Sequence, residues 1–162
     1  MDRKASETPN RKRLYTEAER ARRDATIWTL VQGVLAPLQF AVFLVSLALV
    51  LRYVWTGEGY WIATVSVVIK TVVLYTIMVT GSIWEKVVFD RWLFAPSFFW
   101  EDVFSFVVIA LHTLYIWAVS TGSVGPDGQM AIALAAYATY VINAGQFILK
   151  LRAARLDAQV SA

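Results

Sequence analysis

Four long apolar runs separated by short polar stretches set the pattern of this chain. Ala25 to Leu51 carries no charged residue, and it exceeds the roughly 20 residues that a helix needs to cross a bilayer. A signal peptide would have a much shorter apolar core, followed by a small-residue cleavage site that this sequence does not show. Pro37 lies inside the run and predicts a kink. Upstream, Thr16 with Glu19 spells a capping box, so a helix is expected to start there and continue through Arg20, Arg22 and Arg23 into the first span. Thr56-Gly57-Glu58-Gly59 reads as a turn. The second run, Tyr60 to Trp84, has a single charge, Lys70, near its centre. A polar loop, Glu85 to Pro96, leads to a third run from Ser97 to Thr121. The turn Gly122 to Gly128 then leads to a fourth, Gln129 to Leu149, and a basic amphipathic end with Lys150, Arg152 and Arg155.

The expected fold is therefore all-α: an integral membrane bundle of four transmembrane helices, with spans at about 26–52, 60–84, 97–121 and 129–150. Residues 1–15 read as a disordered basic tail, 16–156 as the transmembrane domain and 157–162 as a C-terminal tail. Orientation follows from lysine and arginine. Eight lie before the first span, two in the loop between spans two and three and three after span four. The two opposite loops hold only Arg52. That bias places both termini in the cytoplasm.

Composition narrows the chemistry. The chain has 162 residues, of which 58% are apolar and 17% charged, and its mean hydropathy is +0.54. With no cysteine and one histidine, His112, it offers no disulfide framework, no thiol nucleophile and no ordinary zinc site, so no metal site is expected. The net charge of +3 sits mostly at the two ends, which fits membrane topology and gives no reason to expect nucleic acid. Phosphate-loop, dinucleotide and zinc-protease motifs are absent, and there are no repeated halves of the kind many transporters carry.

Polar residues inside lipid-crossing helices are costly, so their helical phase is informative. Gln32 and Gln39 share a face of span one. Thr71, Tyr75, Ser82 and Glu85 are spaced as one stripe in span two. Glu101, Ser105, His112 and Tyr115 align in span three, and Thr139, Asn143, Gln146 and Lys150 in span four. Ala131, Ala135 and Thr139 form a small-residue ridge suited to close helix packing. The acids and amides gather in the cytoplasmic half, whereas Lys70 and His112 lie deeper, at similar heights. Each group also has a plainer reading. The acids suit a helix start at the interface, Asn143 and Gln146 suit interhelical glue, and His112 suits a hydrogen-bonded bundle histidine.

Three stretches carry a resemblance: "TEAERARRDATIWTLVQGVLAPLQF" from Thr16, "TGSIWEKVVFDRWLFAPSFFWEDVFS" from Thr80 and "AAYATYVINAGQFILKLRAARL" from Ala135. Together they resemble the 3-vinyl bacteriochlorophyllide hydratase family of bacteriochlorophyll biosynthesis, over nearly the whole chain after Leu14. The resemblance implies a hydro-lyase that needs no cofactor, magnesium entering only as part of the substrate macrocycle. Water would add across the ring-A vinyl group of a chlorophyllide or bacteriochlorophyllide to give a 1-hydroxyethyl group. It also implies the cytoplasmic or intracytoplasmic membrane of a phototrophic bacterium. The partners would be the pigment and membrane lipid, with a homodimer or contact with neighbouring pathway enzymes as further options.

Such a reaction needs an acid to protonate the terminal vinyl carbon and a base to take a proton from the incoming water. Glu101 is the first candidate acid, with Asp102 or Glu85 as its partner. His112 is a further candidate base, or an axial contact to the substrate magnesium. Lys70 is a candidate for the substrate propionate. Trp84, Phe98 and Phe99 are candidates for stacking on the macrocycle, and Asn143 and Gln146 for polar contacts to it. A non-catalytic pigment-binding or assembly protein is the competing reading, and it would not require the acids.

Overall fold

Capping chemistry at Thr16 starts the first helix. Its backbone N–H donates to Glu19 Oε2 at 2.7 Å, and Glu19 N–H donates to Thr16 Oγ1 at 3.2 Å, which satisfies amides that a first turn leaves free. The computed structural model describes residues 14–160. Residues 1–13 of the tail expected over 1–15, and residues 161–162, lie outside that range. Five helices follow: α1 Glu17–Ala25, α2 Ile27–Thr56, α3 Tyr60–Phe89, α4 Phe99–Thr121 and α5 Pro126–Val160. Four of them, all but α1, are long and apolar enough to cross a membrane.

The helix expected to run unbroken from Thr16 into the first span is in fact two helices. Thr26 is extended, at φ −89° and ψ 139°. Its N–H donates to Arg22 O to close α1, and its hydroxyl accepts from Trp28 N–H to open α2. The physical reason is a change of solvent. α1 is charged, with none of its residues buried, whereas α2 carries only Arg52, near its far end. Pro37 lies within α2 without ending it.

Several helices also run past the expected spans, although α4 starts two residues later than expected. α2 and α3 have 30 residues each, about 45 Å at 1.5 Å per residue against roughly 30 Å of hydrocarbon. Their end turns therefore extend beyond the apolar layer. α5 begins at Pro126, a residue suited to the first helical turn, and continues beyond the fourth apolar run to Val160. The turn between α2 and α3 depends on Gly57 and Gly59, both at positive φ (74° and 83°), where a side chain would be strained.

α2 packs along α3 and α4 along α5, and the two hairpins meet through α2 with α5 and α3 with α4. Phe43, Val67, Leu74, Val108, Met130 and Tyr137 lie in the main core. A second cluster of Tyr15, Val88 and Phe98, with Trp84, Phe89, Phe147 and Ala154 against it, closes the end of the bundle beside α1. Tyr15, assigned to the tail from sequence, is thus buried. Large apolar residues such as Leu30, Val45, Trp61 and Leu149 are exposed, as a lipid-facing surface requires.

Two face assignments differ from expectation. Ala131 and Ala135 point outward, and Ala133 and Ala136 are buried instead. The interior of α5 is set by Met130, Tyr137 and Tyr140, and the alanines in phase with these are the ones that let α5 approach its neighbours. In α3, Thr71 and Glu85 face inward but Tyr75 is exposed; its hydroxyl contacts Thr113 Oγ1 at 2.7 Å across the α3–α4 seam. The stripe on α4 is as expected, with Glu101, Ser105, His112 and Tyr115 all buried.

Candidate active site

At the end of the bundle closed by Tyr15, Val88 and Phe98, three carboxyl groups are buried together. Glu85 comes from the last turns of α3, and Glu101 and Asp102 from the first turn of α4. The intervening loop turns back on itself through Asp90 and Phe94, both at φ 59°, a conformation seldom adopted by residues with a Cβ. That path points two loop amides at the acids. Phe94 N–H donates to Asp102 Oδ2 at 2.7 Å and Ala95 N–H to Glu85 Oε2 at 3.3 Å. The Glu85 and Asp102 carboxyls lie close enough for their charges to interact, and two acids buried together favour holding one proton between them over both being ionised.

Glu101 sits beside the pair in a different environment. Lys150 Nζ reaches Glu101 Oε2 at 2.6 Å, and it also donates to Ser97 O. Asn143 Nδ2 donates to Glu101 O at 2.9 Å. Ser105 Oγ donates to the same carbonyl at 2.8 Å and contacts Asn143 Oδ1 at 3.2 Å. Asn143 thus uses both of its polar atoms in joining α5 to α4, as interhelical glue does. Gln146 keeps a buried Oε1 that accepts no hydrogen bond among the described residues.

The N-terminal segment straps the loop in place. Ser97 Oγ donates to Leu14 O and Arg22 Nε to Val88 O, both at 2.8 Å. Tyr15 stacks on Phe89 with centroids 5.7 Å apart. Burial pushes the Tyr15 phenol above its usual range, opposed by the charge of Arg23, whose guanidinium lies 4.8 Å from the ring centre.

The aromatic candidates divide. Trp84 donates from Nε1 to Thr29 Oγ1 at 2.9 Å and packs edge-on against Phe98, which is itself buried. Both belong to the cluster that closes this end. Phe99 is exposed, and it joins Phe94 and Phe106 in an outward aromatic face. Phe94 and Phe106 stack at 5.5 Å and 11°. This face adjoins the acids, because the Phe94 amide is the one that holds Asp102. Phe94 and Phe106 were not singled out from sequence. The signal was there in a phenylalanine placed in a polar loop just before the helix start.

Lys70 and His112 are not at this end. His112 lies eleven positions from Glu101 along α4, roughly 16 Å, and Lys70 fifteen positions from Glu85 along α3, roughly 22 Å. They face each other in the middle of the bundle, closely enough for their charges to interact. Lys70 Nζ lies 3.7 Å from the centre of the Tyr140 ring, and His112 Nδ1 is 2.8 Å from Val108 O.

Comparison with known proteins bears on the whole chain. Residues 15–153 match the family described as 2-vinyl bacteriochlorophyllide hydratase. A protein of that name from Rhodobacter capsulatus is 72% identical over 153 residues, covering 94% of this chain and 88% of the relative. A second, from Cereibacter sphaeroides, is 72% identical over 151 residues and 93% of each chain. No solved structure matches. Both relatives align with nearly the full length of this chain, including the loop and helix ends that carry the three acids, and the chain therefore belongs to the 2-vinyl bacteriochlorophyllide hydratase family.

Proposed function

We propose that this protein adds water across the ring-A vinyl group of a bacteriochlorophyllide or chlorophyllide, and that the Glu85–Asp102 pair carries the proton. The hydratase activity follows from family membership. The assignment of the pair rests on one observation, two neighbouring buried carboxyls each fixed by a loop amide. The shared proton goes to the terminal vinyl carbon, and the adjoining carbon becomes a cation conjugated with the macrocycle. Water attacks that carbon, and the ionised pair takes the proton the water loses. The sum is CH=CH₂ plus H₂O giving CH(OH)CH₃, with the pair restored. No electron is transferred, so the reaction calls for no redox cofactor.

This reading changes the order of the candidates. Glu101 has its charge answered by Lys150, so its role is to hold Lys150 and the first turn of α4 beside the pair. The exposed Phe94–Phe99–Phe106 face supplies the stacking surface, with Trp84 and Phe98 supporting it from inside. Lys70 is too far from the pair for one macrocycle to reach both, and His112 too far to act as its base. Positive charge concentrated at this end supports a cytoplasmic orientation for it, where an amphiphilic pigment in the membrane would present its polar edge.

The test is to express the chain in membranes of a host without chlorophyll chemistry and supply a vinyl chlorophyllide with no added cofactor. A product heavier by one water is expected from the wild type and not from Asp102→Asn. Pigment that co-purifies without reacting would favour a binding or assembly role, and full turnover by Asp102→Asn would overturn the pair.

A further inference from the structure

The middle of the bundle holds a second group of polar side chains, which the proposed chemistry does not use. Lys70, His112 and Tyr115 have no exposed surface, and Thr64 is almost as deeply buried. Among the described residues, Lys70 Nζ, His112 Nε2, Tyr115 OH and Thr64 Oγ1 form no well-made hydrogen bond, although the Tyr115 and Thr64 hydroxyls face one another. Neighbouring groups show that this part of the core can satisfy its polar atoms. Ser46 Oγ contacts Ser66 Oγ at 2.7 Å and Tyr137 OH at 2.5 Å. Buried polar atoms without protein partners are expensive, the more so in a lipid-crossing bundle, and such groups characteristically hold an internal water or ion.

We propose that Lys70, His112, Tyr115 and Thr64 form a membrane-buried water-binding site that bridges α3 and α4. Donor and acceptor chemistry selects water. Val108 O can only accept, so Nδ1 of the neutral imidazole carries the hydrogen and Nε2 presents a lone pair. Lys70 Nζ has donors to spare. A water accepts from Lys70 and donates to His112 Nε2, and the two hydroxyls either donate or accept around a neighbouring water. An anion would be attracted by Lys70 but repelled by the Nε2 lone pair. Lys70, His112 and Tyr115 have no exposed surface, so a macrocycle cannot reach Nε2 between the helices and the site takes small ligands only. It lies roughly 16 Å along α4 from Glu101, and this water is distinct from the one that reacts.

The single histidine makes the site directly readable. Protein labelled with ¹⁵N-histidine in lipid nanodiscs reports on His112 alone. The expected result is a neutral ring with Nε2 unprotonated and hydrogen-bonded, and magnetisation transfer from water to the ring protons. Lys70→Met, with helix content retained, is expected to lose most of that transfer. Tyr115→Phe, which removes a single hydroxyl, is the variant to use if Lys70→Met does not fold, and it is expected to weaken the transfer. Absence of transfer in the wild type overturns the proposal, as does transfer that neither variant alters. An Nε2 resonance that moves when chloride replaces a non-coordinating anion would also overturn it, in favour of an anion site.

Discussion

Two buried polar centres lie in one bundle, and the protein treats them in opposite ways. At the end of the bundle beside α1, Glu85 and Asp102 each receive a loop amide, and Glu101 receives Lys150. In the middle, Lys70, His112 and Tyr115 are buried at least as deeply, yet Lys70 Nζ, His112 Nε2 and Tyr115 OH form no hydrogen bond among the described residues. Burial of an ionisable group carries the same kind of cost in both places. The difference lies in what the backbone can offer. The loop after α3 leaves its amides free to turn toward the acids, whereas at mid-helix every amide is already committed to the helix. A central side chain has only other side chains or water to bond. Burial is thus common to both centres; positioning by backbone amides distinguishes the one proposed to react.

The largest expected effect would break this comparison if it failed. Glu85→Gln and Asp102→Asn keep the size of each group but remove a titratable carboxyl, and each is expected to lower turnover by about 10²–10⁴-fold. Glu101→Gln retains a hydrogen-bond acceptor for Lys150 and is expected to lose far less. Initial rates of hydrated product per mole of folded protein decide the matter. If Glu101→Gln were the severe variant and Glu85→Gln the mild one, the proton would belong to Glu101 and the loop amides would be structural only.

Much of this arrangement was legible in the sequence, and the exceptions have identifiable causes. The four apolar runs located the bundle because uncharged stretches of that length have few alternatives. Helical phase gave the α4 face correctly, since Glu101, Ser105, His112 and Tyr115 are all interior. The grouping of Glu85 with Asp102 could not be read from spacing, because it depends on a loop that turns through Asp90 and Phe94 at positive φ. The break at Thr26 was also hidden: one threonine serves as both C-cap and N-cap, and propensity alone does not reveal that. On α5 the alanine face was misread because alanine repeats on several sides of the helix, so the bulky residues decide which side packs.

That alanine face supplies a prediction of intermediate size, in the wall of the middle region. Ala136 is buried beside Tyr137, and Ala136→Leu overpacks that wall at a cost of about 1–3 kcal/mol. Ala135→Leu adds an apolar side chain on the lipid side and is expected to change stability by less than about 0.5 kcal/mol. Thermal unfolding of the two variants in the same detergent compares them directly. Equal destabilisation would mean that α5 is rotated from the phase described above.

The smallest expected effect separates the two ways of satisfying a hydroxyl within the middle region itself. Tyr137 OH is bonded to Ser46, so Tyr137→Phe removes a protein-to-protein hydrogen bond at a net cost of about 0.5–1.5 kcal/mol. Ser46 still contacts Ser66, which keeps the loss toward the low end. Tyr115→Phe removes a hydroxyl with no well-made protein bond. If water serves that hydroxyl, the water keeps its other partners, and the cost is expected to be smaller than for Tyr137→Phe. Chemical or thermal unfolding of both variants in one lipid or detergent system gives the ordering. A Tyr115→Phe loss exceeding that of Tyr137→Phe would show that its hydroxyl does have a strong partner within the protein. The contrast between a protein-answered end and a water-answered middle would then no longer stand at that residue.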